Sequence, residues 1–165
     1  MSRACRLLMG AILLLFIATP AFSQQANIQG ERTLVEVARR LDARVGRLIG
    51  HGTDFGDYSR SSGDSAQFLL LHCLGDEAAR AAATLQAAQI MLLLYTYTLF
   101  HPARTDARAM VQQSLDSYTE KLDASIARVN DLISTTRSAA AVHSAWRMKD
   151  DLRETVDILK SIELP

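Results

Sequence analysis

Between Arg80 and His101 lie twenty consecutive uncharged residues, AAATLQAAQIMLLLYTYTLF, in which Leu85, Ala88, Leu92, Tyr95 and Leu99 recur at spacings of three and four. That period lines them along one face of a helix and predicts a core face. Met91, Leu94 and Thr98 make a second, largely apolar stripe, and Gln86, Gln89, Leu93, Thr96 and Phe100 a third that turns apolar after its glutamines. A helix apolar on nearly every side is either buried on most of them or lies in lipid. About 20 residues would just cross a bilayer core. Thr84, Gln86, Gln89, Thr96 and Thr98 would lack partners there, so the stretch reads as a buried central helix and not as a membrane span.

The remaining pattern predicts helices on both sides of it. Leu34, Val37, Ala38, Leu41, Val45 and Leu48 give a first helix over residues 31–49, with Gly50 and Gly52 as its stop. Residues 51–64, HGTDFGDYSRSSGD, show no repeating apolar face and read as a long loop, a length that is often functional in a compact domain. Asp64 then caps a short helix over 66–74, whose Phe68, Leu69, Leu70, Leu71 and Leu74 are too apolar for a surface, and Gly75-Asp76 suggests a break before the central helix. Pro102 ends that helix near His101. Val111, Leu115, Tyr118, Leu122, Val129 and Leu132 mark a third long helix, and Ala141, Ala145, Met148, Leu152, Val156, Leu159 and Ile162 a last one, with Arg147, Asp151, Arg153 and Asp157 on its solvated face. With no strand alternation, the expected fold is all-α, an up-down-up-down four-helix bundle with one short accessory helix after a long loop.

Residues 1–23 change the picture of where this domain works. Arg3 and Arg6 precede an apolar run from Leu7 to Ala18, and Ala21-Phe22-Ser23 offers a small-x-small cleavage site, the pattern of a signal peptide. The expected exported chain is a single domain over 24–165, with 24–30 as a disordered lead-in. Loss of Arg3 and Arg6 leaves 16 basic against 18 acidic residues, a net charge of −2, which argues against nucleic acid as a partner. Cys5 leaves with the leader, so Cys73 is the one remaining cysteine: a small buried group, or the site of an intermolecular disulfide. With no Asn-x-Ser/Thr sequon and an Ala- and Arg-rich composition, a bacterial periplasm or secreted location is expected.

The chain carries no catalytic signature. CxxCH, ExxH, HExxH and GxSxG are all absent, so covalent haem, a ferritin-like metal pair and the common hydrolase motifs have no support. No cofactor is expected. Gln86, Gln89, Met91, Leu94, Tyr95, Tyr97, His101, His143 and Trp146 are the candidates for a ligand or an interface, with Tyr95 and Trp146 also readable as core. The reading is an exported, non-enzymatic bundle that binds another protein or its own copy through apolar helix surface. Its rival is a bundle enclosing a small apolar ligand or a noncovalent haem, with Met91, Met110 or Met148 and His101 or His143 as axial ligands.

Overall fold

The computed structural model describes the backbone of residues 3–165 and the side chains of residues 28–165. It contains four helices: α1 (Arg3–Ser61), α2 (Ser65–Thr96), α3 (Arg104–Thr135) and α4 (Ala139–Lys160), with no strand among the described residues. The side chains of the expected leader and of most of the expected lead-in fall outside the described residues. Residues 28–30 of that lead-in belong to α1.

Two expected interruptions are absent. Residues 51–61 continue α1, and only 62–64 separate it from α2. Gly75 lies inside α2, so the short helix at 66–74 and the central helix are one. A seven-residue repeat explains both. On α1, Leu34, Leu41, Leu48 and Phe55 are buried seven apart, and Ala38, Val45 and Ser59 are buried on the companion line that passes through Gly52. On α2 the two lines are Leu71, Ala78, Leu85 and Leu92, and Leu74, Ala81, Ala88 and Tyr95, all buried; the helix ends at Thr96, short of the expected His101, and the buried Leu99 lies in the turns that follow. Two positions per seven residues make a continuous helical seam. An interior glycine costs only about 1 kcal/mol in helix propensity, less than the roughly 1.5–3 kcal/mol gained by burying a side chain such as Phe55.

The other two helices carry the same repeat. On α3, Leu115, Leu122 and Val129 are buried seven apart, and on α4, Ala145, Leu152 and Leu159 are. Asp64 caps α2 by accepting from Ala66 N at 2.8 Å, and Ser138 caps α4 by accepting from Ala141 N at 3.3 Å. Gln67 clamps the far end of α3, donating to Thr135 O at 3.3 Å and accepting from Arg137 N at 2.9 Å.

Helix α1 packs on α2, α2 on α3, α3 on α4, and α4 on α1. Where α1 meets α2, Gln89 bonds Asp42 and Gly75 approaches Gly52. The contacts of the other three pairs likewise join rising numbers on one helix to falling numbers on its neighbour: Gln67 with Thr135 and Glu77 with Arg128, Lys149 with Asn130 and Lys160 with Asp123, Arg44 with Glu154 and His51 with Ser144.

A Cβ placed on Gly75 would meet only Gly52 O at 3.7 Å and Phe55 Cβ at 3.8 Å, ordinary contact distances. Gly75→Ala is therefore expected to raise stability by about 0.5–1 kcal/mol in urea unfolding. A loss of similar size would place a break in α2 at this position.

Candidate functional site

Among the described residues, the largest cluster of charged side chains between two helices joins α1 to α4. Arg44, Arg47, His51 and Asp54 follow one another at three, four and three residues on α1, and Ser144, Arg147, Asp151 and Glu154 do the same on α4. The two lines run in opposite directions beside the apolar seams. Arg44 Nη1 and Arg47 Nε each donate to Asp151 Oδ1 at 2.8 Å, and Arg44 Nη2 pairs with Glu154. His51 Nε2 lies 3.1 Å from Asp151 Oδ2, and its Nδ1 lies 3.4 Å from Ser144 Oγ. Ser144 Oγ also lies 3.5 Å from Asp54 Oδ2.

Burial, the strongest single influence on Asp151, raises its carboxyl. Hydrogen bonds from His51, Arg47 and Arg44, with the charge of Arg47, outweigh that effect and hold it below the ordinary carboxylate value. Serine, histidine and aspartate thus stand in the order used by nucleophilic hydrolases. Access decides against that chemistry, because His51 and Ser144 are each only 6% exposed and a substrate carbonyl has no approach to the hydroxyl. When His51 donates to Asp151, its Nδ1 and the Asp54 carboxylate compete for the single Ser144 proton. The cluster is a buried tie between two helices.

A second tie joins α2 to α3. Glu77 is buried and accepts from Arg128 Nε at 2.7 Å, Arg80 Nη2 at 2.8 Å and Ser125 Oγ at 3.2 Å. The hydrogen bond to Glu77 raises the Arg128 guanidinium above its ordinary value, against the opposing effect of burial. A third sets Lys149, buried on α4, against Asn130 Oδ1, with its Nζ 4.3 Å from the centre of the Trp146 ring.

These ties correct several expectations. Asp151 faces α1 and is not part of a solvated ladder, because it sits beside the Met148–Leu152 seam. Glu77 is mid-helix and buried, so Asp76 opens no helix. Lys149 is buried, Arg44 is half-buried and Arg39 is exposed. His51, Ser144 and Asp151 were not among the candidate residues. Their signal was the matched three-four-three polar spacing on two separate helices.

The candidate residues do not converge on one cavity. Tyr95 is core and donates its hydroxyl to Pro165 O at 2.9 Å. Gln89 bonds Asp42 Oδ1 at 3.3 Å, Gln86 is exposed, and Met91 packs on the edge of the core. Leu94, Tyr97, His101, His143 and Trp146 are exposed, which overturns the core reading of Trp146: the indole covers Lys149 from outside. Cys73 is exposed as well, against the expectation of a buried thiol. His101 and His143 flank α3, whose 32 residues span about 48 Å, so they stand at opposite ends of the protein. Among the described residues no group of three His, Cys, Asp or Glu could hold a metal ion. No described helix is long and apolar enough to cross a membrane.

What remains is a surface. Leu69 is 61% exposed, Leu94 58% and Tyr97 84%, and Ile90 and Phe100 are at least half exposed. Leu69, His72, Asp76, Ala79, Ala83, Gln86, Ile90 and Leu94 or Tyr97 are exposed at spacings of three and four, so α2 carries a second seam facing away from its three neighbours.

Four helices, each holding one inward seam, define this as an all-helical protein, and α2 carries a further exposed line with large apolar residues at both ends and His72, Asp76 and Gln86 between them. The chain matches no protein-family model, and no curated protein or solved structure matches it significantly.

Asp151 has a depressed folded-state value. Its stabilisation is complete above about pH 4, the unfolded value, and is lost as the pH falls through the lower folded one. Asp151→Asn is expected to lower stability at pH 7 by about 1–3 kcal/mol. It should also flatten the acid limb of a stability-versus-pH curve measured by urea unfolding. Parallel acid limbs would show that the partners do not hold this carboxylate.

Proposed function

We propose that this protein is an exported, non-enzymatic up-down-up-down bundle of bacterial origin that acts by pairing with a second copy through the outward seam of α2. Export rests on the leader pattern of residues 1–23, which implies a periplasmic or secreted destination. The opposed numbering across each helix pair supports the up-down order. The observation that carries the pairing is the exposed line from Leu69 to Tyr97.

A second copy is the favoured occupant because the seam complements itself. Large apolar residues stand at both ends, Leu69 at one and Ile90, Leu94 and Tyr97 at the other, with the small Ala79 and Ala83 and the polar His72, Asp76 and Gln86 between them. Two such helices related by a two-fold axis near residue 81 bring Leu69 of each opposite Leu94 of the other. Their small centres allow a close approach. The two Cys73 are then about 24 Å apart along the axis, at 1.5 Å per residue, so this dimer contains no disulfide. A disulfide-linked dimer through the exposed Cys73 is a separate species, formed by another contact.

Light scattering on the exported chain is expected to show a dimer that reductant leaves intact. Leu94→Glu should make it monomeric with little change in thermal midpoint, since the position is already exposed. Leu92→Ala, in the buried seam, should cost about 2–5 kcal/mol of stability. A wild-type monomer at concentrations of tens of micromolar, or a Leu94→Glu dimer, contradicts the proposal.

A further inference from the structure

After α4 the chain leaves the helix at Ser161, and residues 162–165 cross the end of the protein. Ile162 and Leu164 are buried while Glu163 between them is exposed, the alternation of an extended segment with one apolar face. Pro165 rests directly on Gly30 of α1: a Cβ at Gly30 would lie 2.6 Å from Pro165 Cγ and 2.8 Å from its Cβ. Tyr95, among the largest fully buried side chains, commits its hydroxyl to the Pro165 carbonyl oxygen. Arg104 Nε donates to the same oxygen at 3.3 Å. Gln29, Thr33, Arg108 and Gln112 border the slot.

The manner of attachment is that of a ligand. Among the described residues the last backbone–backbone bond is Ile162 N to Leu159 O at 3.3 Å, so no ladder ties Glu163 to Pro165. Three apolar side chains and one doubly bonded carbonyl hold the segment. A few placed polar groups in an apolar seat are how a pocket fixes the orientation of a small guest. The glycine is matched to the guest, since any side chain at position 30 would occupy the volume of the proline ring.

We propose that the slot formed by Gly30, Tyr95 and Arg104 is a binding site for a short extended peptide of apolar-acidic-Leu-Pro character, filled at rest by this chain's own residues 162–165 as a displaceable strap. The strap is tethered directly to α4, at an effective concentration on the order of millimolar, and therefore outcompetes a free peptide of equal intrinsic affinity. Removal of the strap should unmask the site.

The test uses the exported chain lacking residues 162–165 and a synthetic peptide of residues 160–165, followed by calorimetry and thermal unfolding. Saturable one-to-one binding that raises the thermal midpoint is expected, with no measurable binding to the intact chain. Tyr95→Phe in the shortened chain should weaken binding about tenfold or more, the worth of one hydrogen bond to a charged oxygen. Gly30→Ala should abolish it. A shortened chain that folds without binding the peptide overturns the proposal, because a purely structural tail predicts that result. Should the shortened chain fail to fold, the intact Leu164→Ala chain takes the same titration: binding supports the site and its absence overturns it.

Discussion

The seven-residue register shared by all four helices is the constraint on which everything else in this protein depends. It is long on α2, where Leu71, Ala78, Leu85 and Leu92 are all buried. A seam two residues wide in every seven covers only one side of a helix. α2 is apolar on more sides than its neighbours can cover, and the remainder, from Leu69 to Tyr97, faces outward. The outward face is a geometric consequence of the register.

Apolar seams alone leave helices free to slide by a heptad or exchange neighbours. The buried ties oppose this. Shifting α1 against α4 by seven residues would break the set of three contacts that Asp151 makes with Arg44, Arg47 and His51, and the residues seven away restore only part of it: His51 in the place of Arg44 one way, Arg40 and Arg44 in the places of Arg47 and His51 the other. A slide of α2 against α3 would likewise break the contact of Glu77 with Arg128. Such clusters add little net stability over a well-packed apolar contact. The Ser144–His51–Asp151 line belongs with them, its chemistry confined by burial to holding two helices in place.

The helical class, the inward faces of all four helices and the cap at Asp64 were legible in the pattern of apolar and polar positions. Residues 51–61 and Gly75 were not, because glycines and clustered polar residues signal breaks whenever a segment is judged in isolation. Their helicity comes from partners far away in sequence: Gly52 and Gly75 face each other across α1 and α2, and Phe55 fills the space beside them. A period of seven carried across the glycines would have revealed both. The buried ties were harder to find, since a polar residue beside an apolar stripe can turn either way and only the facing helix decides. The position of Trp146 depended in the same way on Lys149, whose burial placed the indole outside it. Of the candidate surface, Leu94 and Tyr97 were identified from sequence. Leu69 was read as core because its neighbours Leu71 and Leu74 are.

Function in this reading lies in surfaces: an outward seam on α2 that pairs with its own copy, and a slot at one end closed by the chain's own strap. The pairing geometry can be measured directly, because Cys73 is exposed and is the one cysteine left once residues 1–23 are removed. A nitroxide on Cys73 of the chain over residues 24–165, examined by pulsed dipolar spectroscopy, is expected to give one intermolecular distance of about 25–30 Å, from helix rise and ordinary interhelical spacing. That distance should vanish in Leu94→Glu. An absence of dipolar coupling in the wild type, or a distance that survives Leu94→Glu, would contradict the account.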